Sequence, residues 1–416
     1  MKKVELMAPA GDPICLSAAI KAGADAVYLG VKGTNMRAGA KNFSLPELRS
    51  ACKLAKKNGV RVYLTLNTIY YEDELVNVEK LILKASKAGV DAFIAWDNAI
   101  LSILKKHNLE AHLSTQASVS NSDAIIAYHK NFNIDRFVLA RECTIEHMKK
   151  MRRNLTKKLG KKEADKIDIE IFAHGAMCIS ISGRCFLSEF SCGKSANRGE
   201  CLQPCRRQYK IIDTSDNADI EYEMGTDYIL SPKDLCTLPF LEQLLDMKVN
   251  SLKIEGRNRN PEFVYNTVKA YRTLIDAYYD KMPESEFEAL KKAEMEKLHL
   301  VFNRGFSEGF FMGRPMKDWH TKSAGNVSPQ KKLLLGRVRN FFPKICVAEV
   351  VVESGSLKIG DTVQIEGNAT GMQTFQVEQM QREFVEITSA KKGDKIALKC
   401  PVRLRKSDRV YIFRKI

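Results

Sequence analysis

The 416-residue sequence has no run of about 20 apolar residues, which excludes a membrane-spanning helix of ordinary length. The opening residues, MKKVELMAPAGD, lack the apolar stretch of a secretory signal. We therefore expect a cytoplasmic protein that does not associate with a membrane. Thiols are normally reduced in that compartment, so clustered cysteines indicate metal binding or catalysis before disulfides.

Several motifs that would assign a reaction are also missing. No Gly-rich dinucleotide fingerprint follows the first apolar run, which weighs against an open nucleotide-binding sheet. Neither the His-Glu-x-x-His motif of zinc peptidases nor the Gly-x-Ser-x-Gly elbow of serine hydrolases occurs, which makes proteolysis the less favoured reading. The Cys-x3-Cys-x2-Cys pattern of radical S-adenosylmethionine chemistry is absent as well.

Positive charge, in contrast, is in excess. The chain has 66 Lys/Arg and 50 Asp/Glu residues, a formal net charge of +16. Half of this surplus lies in residues 331–416, which contain 17 Lys/Arg and 9 Asp/Glu residues. Such a distribution indicates an anionic partner, nucleic acid first. A basic enzyme or a structural appendage without such a partner remains the alternative.

Eight apolar runs alternate with helical patterns over the first 260 residues. The runs cover residues 4–11, 26–30, 61–67, 92–97, 110–116, 136–142, 168–175 and 251–257. Eight buried strands that alternate with helices are typical of an α/β fold with a (β/α)8 TIM-type barrel. The rival interpretation is an open, doubly wound sheet.

The pattern divides the chain into three predicted regions. Residues 1–260 form the barrel, with a Cys-rich insertion at 176–236 before the last strand. Residues 261–330 form a helical extension and a Gly/Phe-rich connector. Residues 331–416 alternate apolar and polar residues between Gly-Asp turns, which predicts a small, basic, antiparallel β-barrel.

Polar residues close most of the apolar runs, and the carboxyl ends of the strands form the active site in such barrels. These residues are Asn67, Asp97, Gln116, Arg141, Glu142, His174, Glu255 and Arg257. Each of them alone could equally cap a helix or pair with a neighbour. Arg141 and Arg257 are the best candidates for holding a carboxylate, because a guanidinium group can donate two parallel hydrogen bonds to it.

Six of the 11 cysteines fall within 59 residues of the insertion, over the expected barrel mouth. They are Cys178, Cys185, Cys192, Cys201, Cys205 and Cys236. Structural zinc, disulfides, a nucleophilic thiol and an iron–sulfur cluster are the possible uses. Only Cys201 and Cys205 approach the paired spacing of zinc ligands, and spacing alone leaves zinc and iron–sulfur equally favoured.

One segment is similar to a known family signature. Residues 170–188, EIFAHGAMCISISGRCFLS, resemble that of peptidase family U32, the collagenase-like peptidases. The segments LMAPAGD, NRGECLQPCR, SPKDL and KIEGRNRNPEFV agree with it, so the resemblance covers roughly residues 1–315. The basic C-terminal region fits one branch of the same family.

The resemblance implies an oxygen-independent hydroxylase that carries a 4Fe-4S cluster. By position, the implied ligands are Cys178, Cys185, Cys201 and Cys236, with Cys205 as an alternative. The implied reaction converts the tRNA wobble uridine to 5-hydroxyuridine with prephenate as co-substrate. Hydroxylation of 23S-type ribosomal RNA or of a small aromatic ring, and collagenase-like peptidase activity, are the alternatives.

With the family as guide, we also expect roles for the strand-end residues. Arg141 and Arg257 would hold the carboxylates of prephenate, and His174 or Glu255 would carry the proton lost from the pyrimidine ring. The basic C-terminal region would bind phosphates of tRNA or rRNA. A partner protein or a second copy of the chain could complete the site.

Overall fold

Parallel strands close into a barrel in the computed structural model, which describes residues 3–32, 35–37, 39, 41–209, 228–315, 319–323 and 325–416. In chain order, β1 to β10 are Glu5–Pro9, Ala26–Leu29, Arg61–Leu66, Ala92–Ala95, Ala111–Leu113, Arg136–Val138, Asp168–Gly175, Asp234–Cys236, Ser251–Ile254 and Phe306–Ser307. Strands β1 to β7 pair in sequence, and β9 pairs with both β7 and β1. The predicted eight-stranded barrel is therefore confirmed, while the short β8 runs antiparallel to the end of β7 and pairs with β10.

Helices surround this barrel. In chain order, α1 to α11 are Pro13–Ala22, Leu45–Lys57, Leu75–Ala88, Asn98–Lys106, Ser122–Phe132, Ile145–Leu159, Lys161–Ala164, Leu187–Cys192, Leu241–Asp246, Pro261–Tyr279 and Glu284–Leu300. Helix α1 shows how a barrel helix is delimited: the Asp12 carboxylate accepts from the Cys15 N–H at 2.8 Å, and the helix ends at Gly23, whose φ is 93°. Helix α10 packs on α1 and β1, so the last barrel unit continues past residue 260. No described helix is long and apolar enough to cross a membrane.

Charged side chains fill the barrel interior near the amino ends of the strands. Glu5 accepts from the Tyr63 hydroxyl at 2.9 Å and is paired with Arg136, whose guanidinium nitrogens also lie 3.0 Å from Asp168 and 3.9 Å from Glu170. Lys253 Nζ donates to Glu170 at 3.0 Å. Burial opposes ionisation of Glu170, but the charges of Lys253 and Arg136 outweigh it and lower the pKa of the carboxyl group. The network is therefore ionised and internally compensated.

We expect Arg136→Met to lower the free energy of unfolding by about 3–5 kcal/mol, because it leaves buried carboxylates without their cation. The measurement is urea denaturation of the variant and the unmodified protein. Arg339→Met on the exposed surface is the matched control, expected to change stability by no more than about 0.5 kcal/mol. If both substitutions change the free energy of unfolding equally, the buried charge network does not stabilise the fold.

The C-terminal region folds into antiparallel β-sheets around its own core. Strands β11 to β20 are Gln330–Phe342, Val347–Val352, Ser356–Lys358, Thr362–Gly367, Gly371–Gln376, Met380–Arg382, Val385–Glu386, Ser389–Lys391, Lys395–Lys399 and Arg409–Lys415. Eight of them form one sheet in the order β15-β14-β20-β11-β12-β19-β16-β17, and β13 pairs with β18. The core contains alternate residues of the long strands, such as Ala348, Val350 and Val352 of β12. The predicted antiparallel β region is confirmed, with β15 and β17 as the end strands of its larger sheet.

The C-terminal region rests on two barrel helices. Lys21 of α1 donates to the Met372 carbonyl oxygen at 3.0 Å, and the Met372 side chain joins the apolar core of the barrel. Lys332 of β11 is paired with Glu366 and lies 3.9 Å from Glu262 of α10. These contacts place residues of β11, β14 and β20 beside the loop that follows β9.

Candidate active site at the barrel mouth

A cavity of about 380 Å³ lies at the carboxyl ends of the barrel strands. Five of the predicted strand-end residues line it: Asn67, Gln116, Arg141, Glu255 and Arg257. Their amides and charged groups face one space because parallel strands all end at the same side of a barrel. The segment between β7 and β8 contributes the opposite wall. The cavity is thus built jointly by strand ends and the Cys-rich insertion.

Two other strand-end residues have structural roles. Asp97 caps α4, since its carboxylate accepts from the Ala99 N–H at 2.9 Å. Glu142 accepts from the N–H and the hydroxyl of Ser182 at 3.3 and 3.4 Å and so supports the Cys-rich insertion. Neither of these two carboxylates lines the cavity.

Four of the six clustered cysteines line the cavity: Cys178, Cys185, Cys201 and Cys205. Burial raises the pKa of Cys205 to about 11; the Arg206 guanidinium opposes this shift, and the other three thiols add to it. The four thiols therefore border one space. Among the described residues, no three His, Cys, Asp or Glu side chains are grouped as ligands of a single metal ion.

The remaining two cysteines of the insertion do not line the cavity. Cys192 is the last residue of α8 and is half-buried. Cys236 is buried in β8, where its Sγ lies 3.7 Å from the Met295 sulfur of α11 and burial raises its pKa to about 12. The structure therefore brings Cys205 to the other cavity cysteines and keeps Cys236 apart from them.

His174 also lies outside the cavity. Its ring packs against Phe263, Tyr271 and Phe306 with centroid separations of 5.4–5.8 Å. Burial lowers its pKa to about 3, so the imidazole is neutral at physiological pH. The cause of its position is a register shift in the β7–β9 ladder between Phe172 and His174. Phe172 faces the cavity, and the irregularity turns His174 to the helical side of the strand.

Positive charge dominates the cavity wall. Its described charged residues are one carboxylate, Glu255, and seven cations: Arg37, Arg141, Arg206, Lys253, Arg257, Arg259 and Arg304. Arg37 lies 3.3 Å from one carboxylate oxygen of Glu255, and Arg141 lies 4.0 Å from the other. Burial opposes ionisation of Glu255, but Arg37, Arg141 and Arg257 outweigh it and lower the pKa of the carboxyl group. The site therefore holds a fixed negative charge inside a strongly positive environment.

Arg257 is held rigidly at the floor of this cavity. Its Nη1 donates to Asn35 Oδ1 and to Thr65 Oγ1, both at 2.8 Å. Burial lowers its pKa to about 10, which still leaves it protonated at neutral pH. Its Nε is buried and has no hydrogen-bond partner within the described part of the chain. Arg257 thus places a fixed positive charge on the cavity wall, as expected of an anion ligand.

Five of the seven cations were missed by the sequence prediction: Arg37, Lys253, Arg206, Arg259 and Arg304. A signal existed for one of them, since Lys253 alternates with Glu255 and Arg257 along the last strand and its end. Arg37 comes from the loop after β2, and Arg304 from the segment after α11. Only the tertiary fold brings those two to the barrel mouth.

The chain matches known proteins along most of its length. The model of peptidase family U32 matches residues 11–321. The chain is 41% identical to an uncharacterized protease of Methanocaldococcus jannaschii over 100% of this chain and 99% of that protein, and 37% identical to a collagenase of Porphyromonas gingivalis over 99% and 98%. It is 35% identical to tRNA hydroxylation protein P1 of Bacillus subtilis over 82% of each chain. The resemblance seen in the signature segment is therefore confirmed, and the chain belongs to peptidase family U32.

Proposed function

We propose that this protein is an RNA hydroxylase that adds a hydroxyl group to a pyrimidine, namely the wobble uridine of tRNA, with prephenate as co-substrate. One observation carries the proposal: among the described residues, four thiols, seven cations and one carboxylate line a single cavity. Relatives named for hydroxylation of tRNA and of 23S rRNA, at 35% and 33% identity, support the reaction class and leave ribosomal RNA as the alternative substrate.

The cavity cysteines fit the ligand chemistry of a 4Fe-4S cluster. Such a cluster takes four thiolates and tolerates varied sequence spacing, and four thiols face this cavity. Cys178, Cys185, Cys201 and Cys205, which line the cavity, would be the residues that hold it. When bound, the cluster supplies electron transfer for a hydroxylation that uses no O2.

The cations would bind and orient the co-substrate. A dicarboxylate needs two anchors, and Arg141 and Arg257 converge on the cavity from the ends of β6 and β9. Arg37 forms an ion pair with Glu255, so we assign it to balancing the charge of that carboxylate and not to binding the co-substrate. Glu255, ionised and facing the same space, would accept the proton that leaves the pyrimidine ring.

Aromatic and cationic side chains around the cavity mouth support an RNA substrate. Phe186, which precedes α8, and Phe190 within it are 61% and 86% exposed, with ring centroids 6.0 Å apart. Nearby, the Arg198 guanidinium lies 4.7 Å from the centre of the exposed Tyr71 ring. Exposed rings interleaved with arginine are the pattern on which unpaired bases stack.

The cavity offers little support for peptidase chemistry. Among the described lining residues there is no histidine that could activate a thiol. The raised pKa of Cys205 keeps that thiol protonated at neutral pH, whereas a nucleophilic cysteine needs a lowered pKa. Because two relatives are named as a protease and a collagenase, proteolysis is the rival function that the experiment must test.

Mass spectrometry of nucleosides from total tRNA and rRNA tests this proposal. A strain that lacks the protein is expected to lose 5-hydroxyuridine or a derivative of it from tRNA, and the intact gene is expected to restore the nucleoside. Loss of a hydroxylated pyrimidine from rRNA alone would move the substrate to the ribosome. An unchanged nucleoside profile, together with cleavage of denatured collagen that survives iron removal, would overturn the proposal in favour of a peptidase.

A further inference from the structure

A second cleft, of about 490 Å³, lies between the barrel and the C-terminal β-sheet. The barrel contributes the start of α1, the loop before α2 and the loop between β9 and α10, and the β-sheet contributes residues of β11, β14 and β20. Arg257, Asn258 and Arg259 line both this cleft and the cavity at the barrel mouth. The two spaces therefore meet at the loop that follows the last barrel strand.

The composition of the cleft wall suits a polyanion. Its described charged residues are five cations and two carboxylates: Lys41, Arg257, Arg259, Lys332 and Arg409, with Asp12 and Glu366. Among the described lining residues there is no Leu, Ile, Val, Met or Phe. The apolar centres of protein-binding surfaces are usually built from such residues and aromatic rings, and here, of the described side chains, only Cys15, Pro261 and Tyr411 interrupt the polar lining.

Two of the cations, on opposite walls of the cleft, have N–H donors that their ion pairs do not use. Lys41 lies on the barrel side, where it is paired with Asp12 at 2.7 Å while its side chain is 69% exposed. Arg409 lies on β20 of the opposite wall, and its ion pair with Glu366 is long, at 3.4 Å. Each pair uses only part of the donors of its cation, so a phosphate between the walls could accept from both.

We propose that this interdomain cleft binds the sugar–phosphate backbone of the nucleotides next to the one that enters the cavity. The identification of the polyanion as RNA rests on the proposed function, whereas the cleft, its charge and its junction with the cavity do not. In this arrangement Lys41 and Arg409 contact phosphates, Asn258 lies at the junction, and the C-terminal region fixes the register of the RNA relative to the barrel mouth.

The test compares two charge-matched double variants of the full-length protein. Lys41→Gln/Arg409→Gln removes two cations from the cleft, and Arg339→Gln/Lys395→Gln removes two exposed cations from elsewhere on the β-sheet region. Binding of a hairpin RNA with an unpaired loop is measured at several salt concentrations. Each lost contact with a single-strand phosphate makes the negative slope of log affinity against log salt shallower by about 0.7. The slope of the cleft variant should therefore be shallower by about 1.4 than that of the unmodified protein.

The cleft variant is also expected to bind the hairpin at least about tenfold more weakly at low salt, with the control variant within about twofold of the unmodified protein. Arg409→Lys, which keeps the charge, should retain most of the affinity. Equal losses in both double variants would overturn the inference, because general charge rather than the cleft would then determine binding. Preferential binding of a poly-glutamate peptide over the hairpin would overturn it as well.

Failure of this inference can be told apart from failure of the proposed function. The binding assay involves no turnover, and the nucleoside assay does not depend on which surface binds RNA. If the deletion strain keeps its modified nucleosides while the cleft variant loses RNA affinity, the cleft stands and the hydroxylase proposal falls. If the nucleoside is lost but the cleft variant binds RNA like the control, the hydroxylase stands and the RNA binds elsewhere.

Discussion

Cys205→Ala is expected to abolish iron binding, with iron falling from about four atoms per chain to below one after anaerobic purification. The reason is geometric, since Cys205 lines the same cavity as Cys178, Cys185 and Cys201. The brown colour of an iron–sulfur protein should disappear with the metal. Iron and zinc content and visible absorption are the measurements, and none of them depends on catalytic activity.

Cys236→Ala is the matched control. Its sulfur is buried against Met295 and lies outside the cavity, so the variant should keep its iron and its colour. The small cavity left by the substitution costs some stability, which thermal unfolding measures separately. If Cys236→Ala loses iron and Cys205→Ala retains it, the ligand set implied by the family resemblance is correct and the one drawn from the geometry is wrong. If the purified protein is colourless and contains one zinc ion per chain, the cysteines bind zinc and the proposed electron transfer is wrong.

The barrel could be predicted because its strands are buried on both faces. A parallel strand covered by helices is a short, nearly continuous apolar run, and all eight such runs coincide with observed strands. The polar residues at their ends were predictable for the same reason, since a residue that ends an apolar run leaves the core at the active-site face. Asn67, Gln116, Arg141, Glu255 and Arg257 follow this logic and line the cavity.

Positions that depend on a local irregularity or on distant segments could not be predicted this way. Alternation along β7 would place Phe172 and His174 on the same face, but the register shift between them turns His174 outwards. Cys236 pairs with His174 in the antiparallel β7–β8 ladder and, like it, lies outside the cavity. Arg37 reaches Glu255 from a separation of 218 residues, for which a single sequence contains no signal.

The second large effect that we expect concerns Glu255, the residue proposed to accept the proton from the pyrimidine ring. Glu255→Gln should lower the rate of hydroxylation by about 100-fold or more, because the amide cannot accept a proton and the cavity cations lose their counter-charge. The variant should keep its iron, since no cavity cysteine is changed. Single-turnover conversion of a defined tRNA measures the effect on the chemical step. A rate within about threefold of that of the unmodified protein would exclude Glu255 from the reaction.

His174→Phe is the control that separates the two predicted proton carriers. The imidazole lies among aromatic rings and its Nδ1 has no partner within the described part of the chain, so an apolar ring can replace it without loss of a hydrogen bond from that nitrogen. We expect the hydroxylation rate of this variant to stay within about threefold of the unmodified protein. A large loss with normal iron content and stability would instead place His174 in the proton path.

The pH dependence of the rate tests whether the base titrates near neutral pH. The folded pKa of Glu255 lies below its ordinary value of 4.5, so the carboxylate stays charged until the pH falls through that lower value. Burial lowers the pKa of His174 to about 3, so the imidazole does not titrate between about pH 5.5 and 7.5 either. We therefore expect a rate that is flat across this range, and the Glu255→Gln and His174→Phe variants decide between the two groups. A fall of about tenfold across this range that disappears in His174→Phe would show that the imidazole titrates near its ordinary pKa of about 6.5 and acts as the base, against the burial seen here.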